Sequence, residues 1–169
     1  MNDKDFASAD VMVLGALLTH ADEASCGYAM SSVEKYGVKA DWFRNSHHAK
    51  LFDAIVKSWR EHHALDPFHI NKNYVDDDGV DFPGLYEELA ESGAMLAHLD
   101  YYLIALKQKA IYGKVHKMTA EWLTEMRPDN IGIQIEDFAK KLHDFQETLA
   151  DNDSGLRKIG DYLVRSEEK

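Results

Sequence analysis

Cysteine, proline and long apolar runs are scarce in this chain of 169 residues, which has one cysteine and three prolines. Because Cys26 stands alone, the chain can form no internal disulfide and no multi-cysteine zinc site, and it suits a reducing compartment. No run approaches the roughly 18 apolar residues of a membrane helix. The N-terminus is acidic before its first apolar run, unlike a secretory signal. We expect a cytoplasmic protein without a membrane partner.

Basic residues are scarce as well. The chain has 19 Lys and Arg against 30 Asp and Glu, which gives a formal net charge of -11. A domain that binds duplex phosphates by itself normally presents a basic face, so we expect little direct DNA binding. The densest basic group has helical spacing and predicts a solvated helix face; its members are Lys107, Lys109, Lys114 and Lys117.

Motifs of nucleotide binding and of nucleophilic catalysis are absent from the sequence. The single Gly-Lys pair, Gly113 and Lys114, is followed by Val115 rather than by the Ser or Thr of a P-loop. Neither a G-x-S-x-G nor a G-x-G-x-x-G motif occurs. We therefore predict no catalytic residue and no cofactor site in this chain, and we interpret it as an interaction module rather than an enzyme.

Two histidine pairs lie at the ends of residues 46–63, His47 with His48 and His62 with His63. On a straight helix the pairs would be roughly 22 Å apart, so they cannot share a metal ion. Metal-binding spacings such as H-E-x-x-H are also missing. The sequence thus predicts no metal site. His48 falls on the apolar face of this segment, so we expect its ring to be packed and hydrogen-bonded inside the fold.

Apolar residues recur at helical spacing almost throughout, and no segment shows the alternation of a half-buried strand. We predict an all-α protein. Asp66 before Pro67 is typical of a helix start, as is Asn45 or Ser46 before the histidine-rich segment. Helices are expected over Ala9–His20, capped by Ser8, over Glu23–Tyr36, closed by Gly37, over 46–63, from Pro67 onward, and over Pro83–Ser92 before Gly93.

A longer apolar pattern follows, with steps of 4, 3 and 4 residues between Met95 and Met126 and steps of 3 and 4 from Ile135 to Leu149. Two such seams joined by a short turn predict an antiparallel helical hairpin. Gly113 interrupts the first seam and predicts a bend or a close helix contact there. We expect a helical head in residues 1–94, the hairpin in 95–150, and a linker with the start of a linker helix in 151–169.

The hairpin seams have two interpretations. They are candidates for self-association, or they only pack the two arms of the hairpin on each other. The candidate residues for self-association are Leu103, Leu106, Trp122, Phe138, Leu142 and Phe145.

Five short segments stand in a recognisable order along the chain. They are VLGALL at 13–18, DWFRNSHHAKLFDAI at 41–55, LDPFHI at 65–70, LYEELAES at 85–92 and LDYYLIALKQKA at 99–110. In this order and spacing they resemble the N-terminal domain of DnaB-type replicative DNA helicases. The residues that match the family's motifs are Leu14, Phe43, His48, Leu51, Phe52, Asp66 and Tyr102.

The resemblance implies an all-α head followed by a helical hairpin. In that family the domain does no catalysis: it pairs through the hairpins into dimers, six copies form a collar on the ATPase ring, and it contributes to binding primase and helicase loaders in DNA replication. ATP and Mg²⁺ would then be expected only in an ATPase domain outside this chain. Near Gly113 the family usually carries arginine, so the match is incomplete there.

Two origins fit this resemblance. The chain is a fragment of an ATP-dependent replicative helicase, cut after a linker helix that the terminal GLRKIGDYL resembles. Alternatively, it is a stand-alone adaptor that mimics the helicase domain in order to recruit or inhibit a host helicase. A gene sequence beyond Lys169 would separate them, because a downstream P-loop fits only the first.

Overall fold

The computed structural model describes residues 9–19, 24–72 and 79–151. Over these ranges the chain forms α-helices and short 3₁₀ turns without a strand, which confirms the all-α prediction. The α-helices are α1 Ala9–Thr19, α2 Cys26–Lys35, α3 Ser46–His62, α4 Pro67–Ile70, α5 Phe82–Glu91, α6 Leu99–Glu125 and α7 Ile131–Asp151. The predicted cap Ser8 and the predicted linker helix lie outside the described residues. None of the described helices is long and apolar enough to cross a bilayer.

The chain divides into two units, residues 1–110 and residues 111–169. We call the first unit the head and the second the hairpin unit. Helix α6 runs without interruption through the boundary between them, from Leu99 to Glu125.

Local capping explains where three helices of the head begin. Asn45 accepts a hydrogen bond from the backbone N–H of His47 at 2.8 Å, so Asn45 rather than Ser46 caps α3. Asp66 accepts from the N–H of Phe68 at 3.1 Å and confirms the predicted start of α4. Asp81 caps α5 in the same manner, and α5 begins at Phe82, one residue before the predicted start. Each carboxylate or amide satisfies an N–H that the first helical turn leaves unpaired.

A glycine sets the distance between α1 and α5. A Cβ atom built on Gly15 would lie 2.7 Å from Ser92 Oγ and 3.0 Å from the carbonyl oxygen of Leu89. Only a residue without a side chain permits this approach. At Gly113, by contrast, a Cβ atom would meet nothing within 4 Å, so the predicted close contact at Gly113 is wrong within one copy of the chain.

The head encloses one apolar core, to which α1, α2, α3, α5 and the first turns of α6 contribute. Phe43 and Phe52 stack in it with ring centroids 5.0 Å apart. The largest fully buried side chains are Leu14, Leu17, Met30, Leu51, Phe52, Ile55, Ile70, Leu89, Leu99, Leu103 and Leu106.

Candidate interaction surface

The turn of the hairpin unit is held by one glutamine. Gln134 Nε2 donates to the carbonyl oxygen of Glu125 at 2.9 Å, and the N–H of Arg127 donates to Gln134 Oε1 at 2.8 Å. The indole N–H of Trp122 donates to the backbone oxygen of Gln134 at 3.1 Å. These three bonds join the end of α6 to the start of α7 across the turn at Pro128–Asn130. The turn is therefore a defined structure rather than an open loop.

An aromatic pair packs the two arms directly after this turn. The rings of Trp122 and Phe138 are stacked, with centroids 4.8 Å apart and planes inclined by 15°. Both side chains are half-buried. Pairs of this kind stabilise a contact by about 0.5–1.5 kcal/mol beyond the area that they bury.

Beyond that pair the hairpin unit leaves its apolar seam partly open. From residue 111 to residue 149 every residue is half-buried or exposed, although Ile135, Phe138, Leu142, Phe145 and Leu149 share one face of α7. Ile135 is 51% exposed even though it belongs to this face. Two helices alone cannot enclose such a seam, because each leaves one side of the shared face in contact with water. The hairpin unit thus presents an apolar strip that is only half-buried.

The predicted self-association residues occupy two different environments. Leu103 and Leu106 are fully buried in the core of the head, so a second chain cannot reach them in this conformation. Trp122, Phe138, Leu142 and Phe145 lie in the half-open seam of the hairpin unit. The structure therefore restricts the accessible candidates to those four.

A buried ion pair in the head was missed in the sequence. Lys109 Nζ on α6 donates to Asp10 Oδ1 on α1, and both side chains are almost completely buried. The backbone N–H of Arg44 donates to the other carboxylate oxygen at 3.2 Å. The pair connects helices 99 positions apart in the chain, so no local pattern could indicate it.

The carboxyl group of Asp10 stays ionised because of these neighbours. Burial raises the pKa of Asp10, but the nearby His48 ring, the Lys109 ammonium and the Arg44 N–H together hold this pKa below its usual value. Contact with a cation and with N–H donors favours the charged carboxylate, which opposes the cost of removing it from water. The cluster is thus a carboxylate and an ammonium that compensate each other inside the head.

Two of the four clustered lysines lie inside the head and not on a solvated face. Lys107 and Lys109 are 5% and 4% exposed, so the prediction is wrong for them. Lys114 and Lys117 are exposed as predicted. The difference arises because α6 is shared by the two units. Its first turns contribute to the core of the head, whereas its later turns belong to the hairpin unit.

His48 lies beside the ion pair. Its ring is buried, which confirms the predicted packing. Its Nδ1 is 3.8 Å from Asp10 Oδ2, however, and neither ring nitrogen makes a hydrogen bond. The predicted hydrogen bond is therefore wrong, because 3.8 Å exceeds hydrogen-bonding distance.

The other motif residues act in the architecture of the head. Tyr102 is buried and its hydroxyl oxygen accepts from the N–H of Met95 at 3.4 Å. Asp66 is an exposed helix cap. The remaining motif residues are buried in the core: Leu14, Phe43, Leu51 and Phe52. Six of the seven motif residues are thus buried in the head, and Asp66 caps a helix at its surface.

Metal ligands do not converge anywhere in the part of the chain that the structure describes: no group of three His, Cys, Asp or Glu side chains could hold an ion. The rings of His62 and His69 meet edge to face with centroids 4.7 Å apart.

Comparisons with known proteins give a structural match. No protein-family model matches the chain, and no curated protein matches it in sequence. Among solved structures, the chain is similar to the crystal structure of the N-terminal domain of DnaB helicase from Mycobacterium tuberculosis, with a TM-score of 0.62 and 16% sequence identity. The match covers 82% of this chain and 96% of that one. The chain has the fold of this helicase domain.

Proposed function

We propose that this chain is a non-catalytic oligomerisation and partner-docking domain of a replicative DNA helicase, acting in DNA replication. Its fold, which is that of the DnaB N-terminal domain, supports the proposal. The single observation that carries it is the half-open apolar seam of the hairpin unit. A replicative helicase works as a ring of several copies, and a domain that leaves such a seam uncovered is suited to pair those copies.

Pairing would take place along α7. In a two-fold dimer the same patch serves both partners, so the seam of one copy packs against the seam of the other. Leu142 and Phe145 lie on this seam and are half-buried in one copy. Closing it would remove their remaining surface from water, which stabilises a dimer by about 25 cal/mol for each Å² of apolar surface. Six copies paired in this way would form the collar of a full helicase.

The head would serve as the rigid platform of this assembly. The ion pair between Asp10 and Lys109 holds the first turns of α6 in the core of the head. A primase or a helicase loader is the partner class that we propose for this domain. ATP and Mg²⁺ would act in a separate ATPase domain, and the net charge of -11 supports little direct contact with DNA.

Light scattering across a concentration series tests self-association. We expect the full chain to be dimeric at high micromolar concentration. The double variant Leu142→Asp with Phe145→Asp should be monomeric while keeping its helical circular dichroism. The matched control is Phe68→Ser, which alters an apolar side chain of the head that is 85% exposed and should leave the dimer unchanged. A strict monomer for the unaltered chain at high micromolar concentration would count against this function.

A further inference from the structure

The apolar seam of α7 continues into the last turns of that helix. Leu142, Phe145 and Leu149 follow one another at steps of 3 and 4 residues, so they share one face of α7, and we call them the seam end. All three side chains are half-buried. The other arm of the hairpin packs on α7 through Trp122 and Phe138, but it leaves part of the seam end in contact with water. Such a surface is suited to bind another apolar segment.

The sequence after α7 contains an apolar stripe of matching length. Eighteen residues outside the described ranges follow this helix, from Asn152 to Lys169, and we call them the tail. The tail residues Leu156, Ile159 and Leu163 are separated by steps of 3 and 4 residues, which is the spacing of one side of a helix. The seam end and this stripe each span seven residues, about 10 Å along a helix. The two apolar sets can therefore face each other over their whole length.

The connection between α7 and this stripe has the length of an antiparallel turn. Four residues with the sequence Asn-Asp-Ser-Gly separate the end of α7 from Leu156. Turns favour these residue types, and loops of about 2–5 residues join antiparallel helices. A reversal here brings Leu156 to the level of Leu149, and Leu163 to the level of Leu142. A connection of this length also keeps the tail near the seam end at an effective concentration of the order of millimolar, which a second copy at micromolar concentration does not reach.

Charge also favours a contact between the tail and α7. Between Leu156 and Arg165 the tail has three cations and one carboxylate, a net charge of +2. Residues 111–149 of the hairpin unit have five cations and seven carboxylates, a net charge of -2. The last turn of α7 contains no basic residue, although the negative end of a helix dipole favours a cation. Arg157 and Lys158 follow directly after the four-residue connection and can supply that cation.

We propose that the tail folds back along α7 as an antiparallel helix and covers the seam end within the same copy. Its apolar stripe packs on the seam end, so that three helices rather than two surround the apolar residues there. The tail thereby competes with a second copy of the chain for the same surface. The competition rests on the proposed function, whereas the contact between tail and seam end does not.

This competition sets the concentration at which two copies pair. Both copies must release their tails before their seams can meet, so the apparent dissociation constant of the dimer rises with the inverse square of the fraction of open copies. A tail that covers the seam end in about nine of ten copies weakens pairing about hundredfold. The contact has three apolar anchors only, so a second copy can still displace the tail at high micromolar concentration.

NMR of the full chain tests the contact. The tail variant combines Leu156→Ser, Ile159→Ser and Leu163→Ser, which removes the apolar stripe. At a concentration where light scattering shows that both proteins are monomeric, we expect the variant to shift the amide signals of residues 138–149. The matched control Val164→Ser alters an apolar residue about 100° away from Leu163 on a helix, and it should leave those signals unchanged. Shifts confined to the tail itself would overturn the proposal.

Light scattering across a concentration series tests the competition. The tail variant should pair more tightly than the unaltered chain, by about tenfold or more, because its seam is open in every copy. Val164→Ser should pair like the unaltered chain. Arg157→Gln with Lys158→Gln should strengthen pairing by a smaller factor, and by more than Arg165→Gln with Lys169→Gln, which removes the same charge farther from the end of α7.

The two measurements separate this inference from the proposed function. If neither protein pairs at high micromolar concentration but the signals of residues 138–149 shift, the self-association proposal fails and the tail contact stands. If the tail variant pairs as strongly as the unaltered chain and those signals do not shift, the tail contact is wrong and the self-association proposal stands. Weaker pairing of the tail variant would mean that the tail joins two copies, which would likewise overturn this inference.

Discussion

Leucines at helical spacing meet different surroundings in the two units of this chain. In the head, Leu103 is fully buried among side chains from several helices. In the hairpin unit, Leu142 lies on an equally regular seam and is only half-buried. The head buries its apolar residues in its own core, whereas the hairpin unit leaves part of its apolar surface exposed to solvent. Similar patterns of apolar residues are therefore enclosed in one unit and left half-buried in the other.

The number of helices around each residue explains this difference. A core residue is enclosed when helices approach it from several directions, as α1, α2, α3 and α5 do in the head. A hairpin supplies one neighbouring helix, so half of each seam residue stays in contact with water. The head thus encloses its own core, whereas the seam of the hairpin unit stays half-buried.

Truncating one leucine in each unit should give the largest difference in the free energy of unfolding. Leu103→Ala should lower the free energy of unfolding by about 3–4 kcal/mol, because it opens a cavity in a closed core. Leu142→Ala should cost less than about 1 kcal/mol at low micromolar concentration, since the side chain is already half solvated. Urea denaturation followed by circular dichroism measures both. Equal costs would show that the seam is enclosed within one copy.

Removing the charge of Asp10 should have the next largest effect. Asp10→Asn leaves the Lys109 ammonium buried without a counter-ion, and we expect a loss of about 3 kcal/mol. Lys109→Met added to Asp10→Asn should restore a large part of that stability, because the buried charge is then gone. Lys117→Ala, which alters an exposed ion pair with Glu121, should change stability by less than about 1 kcal/mol.

Acidification should lower the stability of the head by protonating the same residue, Asp10. Because the folded-state pKa of Asp10 lies below its usual value, the carboxylate contributes stability that is present above the unfolded pKa and is lost as pH falls through the folded pKa. We therefore expect the head to lose stability on acidification below about pH 4, the usual range of an aspartate. Asp10→Asn should remove this part of the acid sensitivity. The same acid profile in wild type and variant would contradict the assignment.

Two glycines should respond in opposite directions to alanine. Gly15→Ala should destabilise the head by about 2 kcal/mol, because its Cβ would press on Ser92 and on the backbone of Leu89. Gly113→Ala meets open space in a helix and should stabilise the hairpin unit by up to about 1 kcal/mol. Thermal melting followed by circular dichroism measures both shifts. Stabilisation by Gly15→Ala would be incompatible with the packing around Gly15, and destabilisation by Gly113→Ala would contradict the open space there.

His48→Ala should give a modest loss of stability. The ring is buried, so its removal leaves a cavity, but it also removes two ring nitrogens that lack hydrogen bonds. Because these effects oppose each other, we expect a net loss of about 1–2 kcal/mol, seen as a lower melting temperature. Unchanged melting would show that the ring does not support the core.

Much of the fold could be predicted from local sequence. Asp66 with Pro67 marks a helix start, and Gly37 and Gly93 follow helices in the left-handed conformation that glycine adopts easily. The two seams correctly predict the helical hairpin. These features depend on neighbours a few residues away, so the sequence contains the necessary information. Burial of Lys107 and Lys109 could not be predicted in that way, since helical spacing of charges looks the same on a solvated face.

The sequence by itself determined the helices, their ends and the apolar faces, because these depend on contacts within one or two turns of the chain. Only the tertiary structure decided what each face meets. It buried Lys109 against Asp10, positions that are 99 residues apart, and it enclosed Leu103 and Leu106 in the core of the head. It also showed that the close approach of helices occurs at Gly15 and not at Gly113. The physical reason is that the spacing of apolar residues determines which side of a helix is apolar, whereas the packing of distant segments determines whether that side is covered.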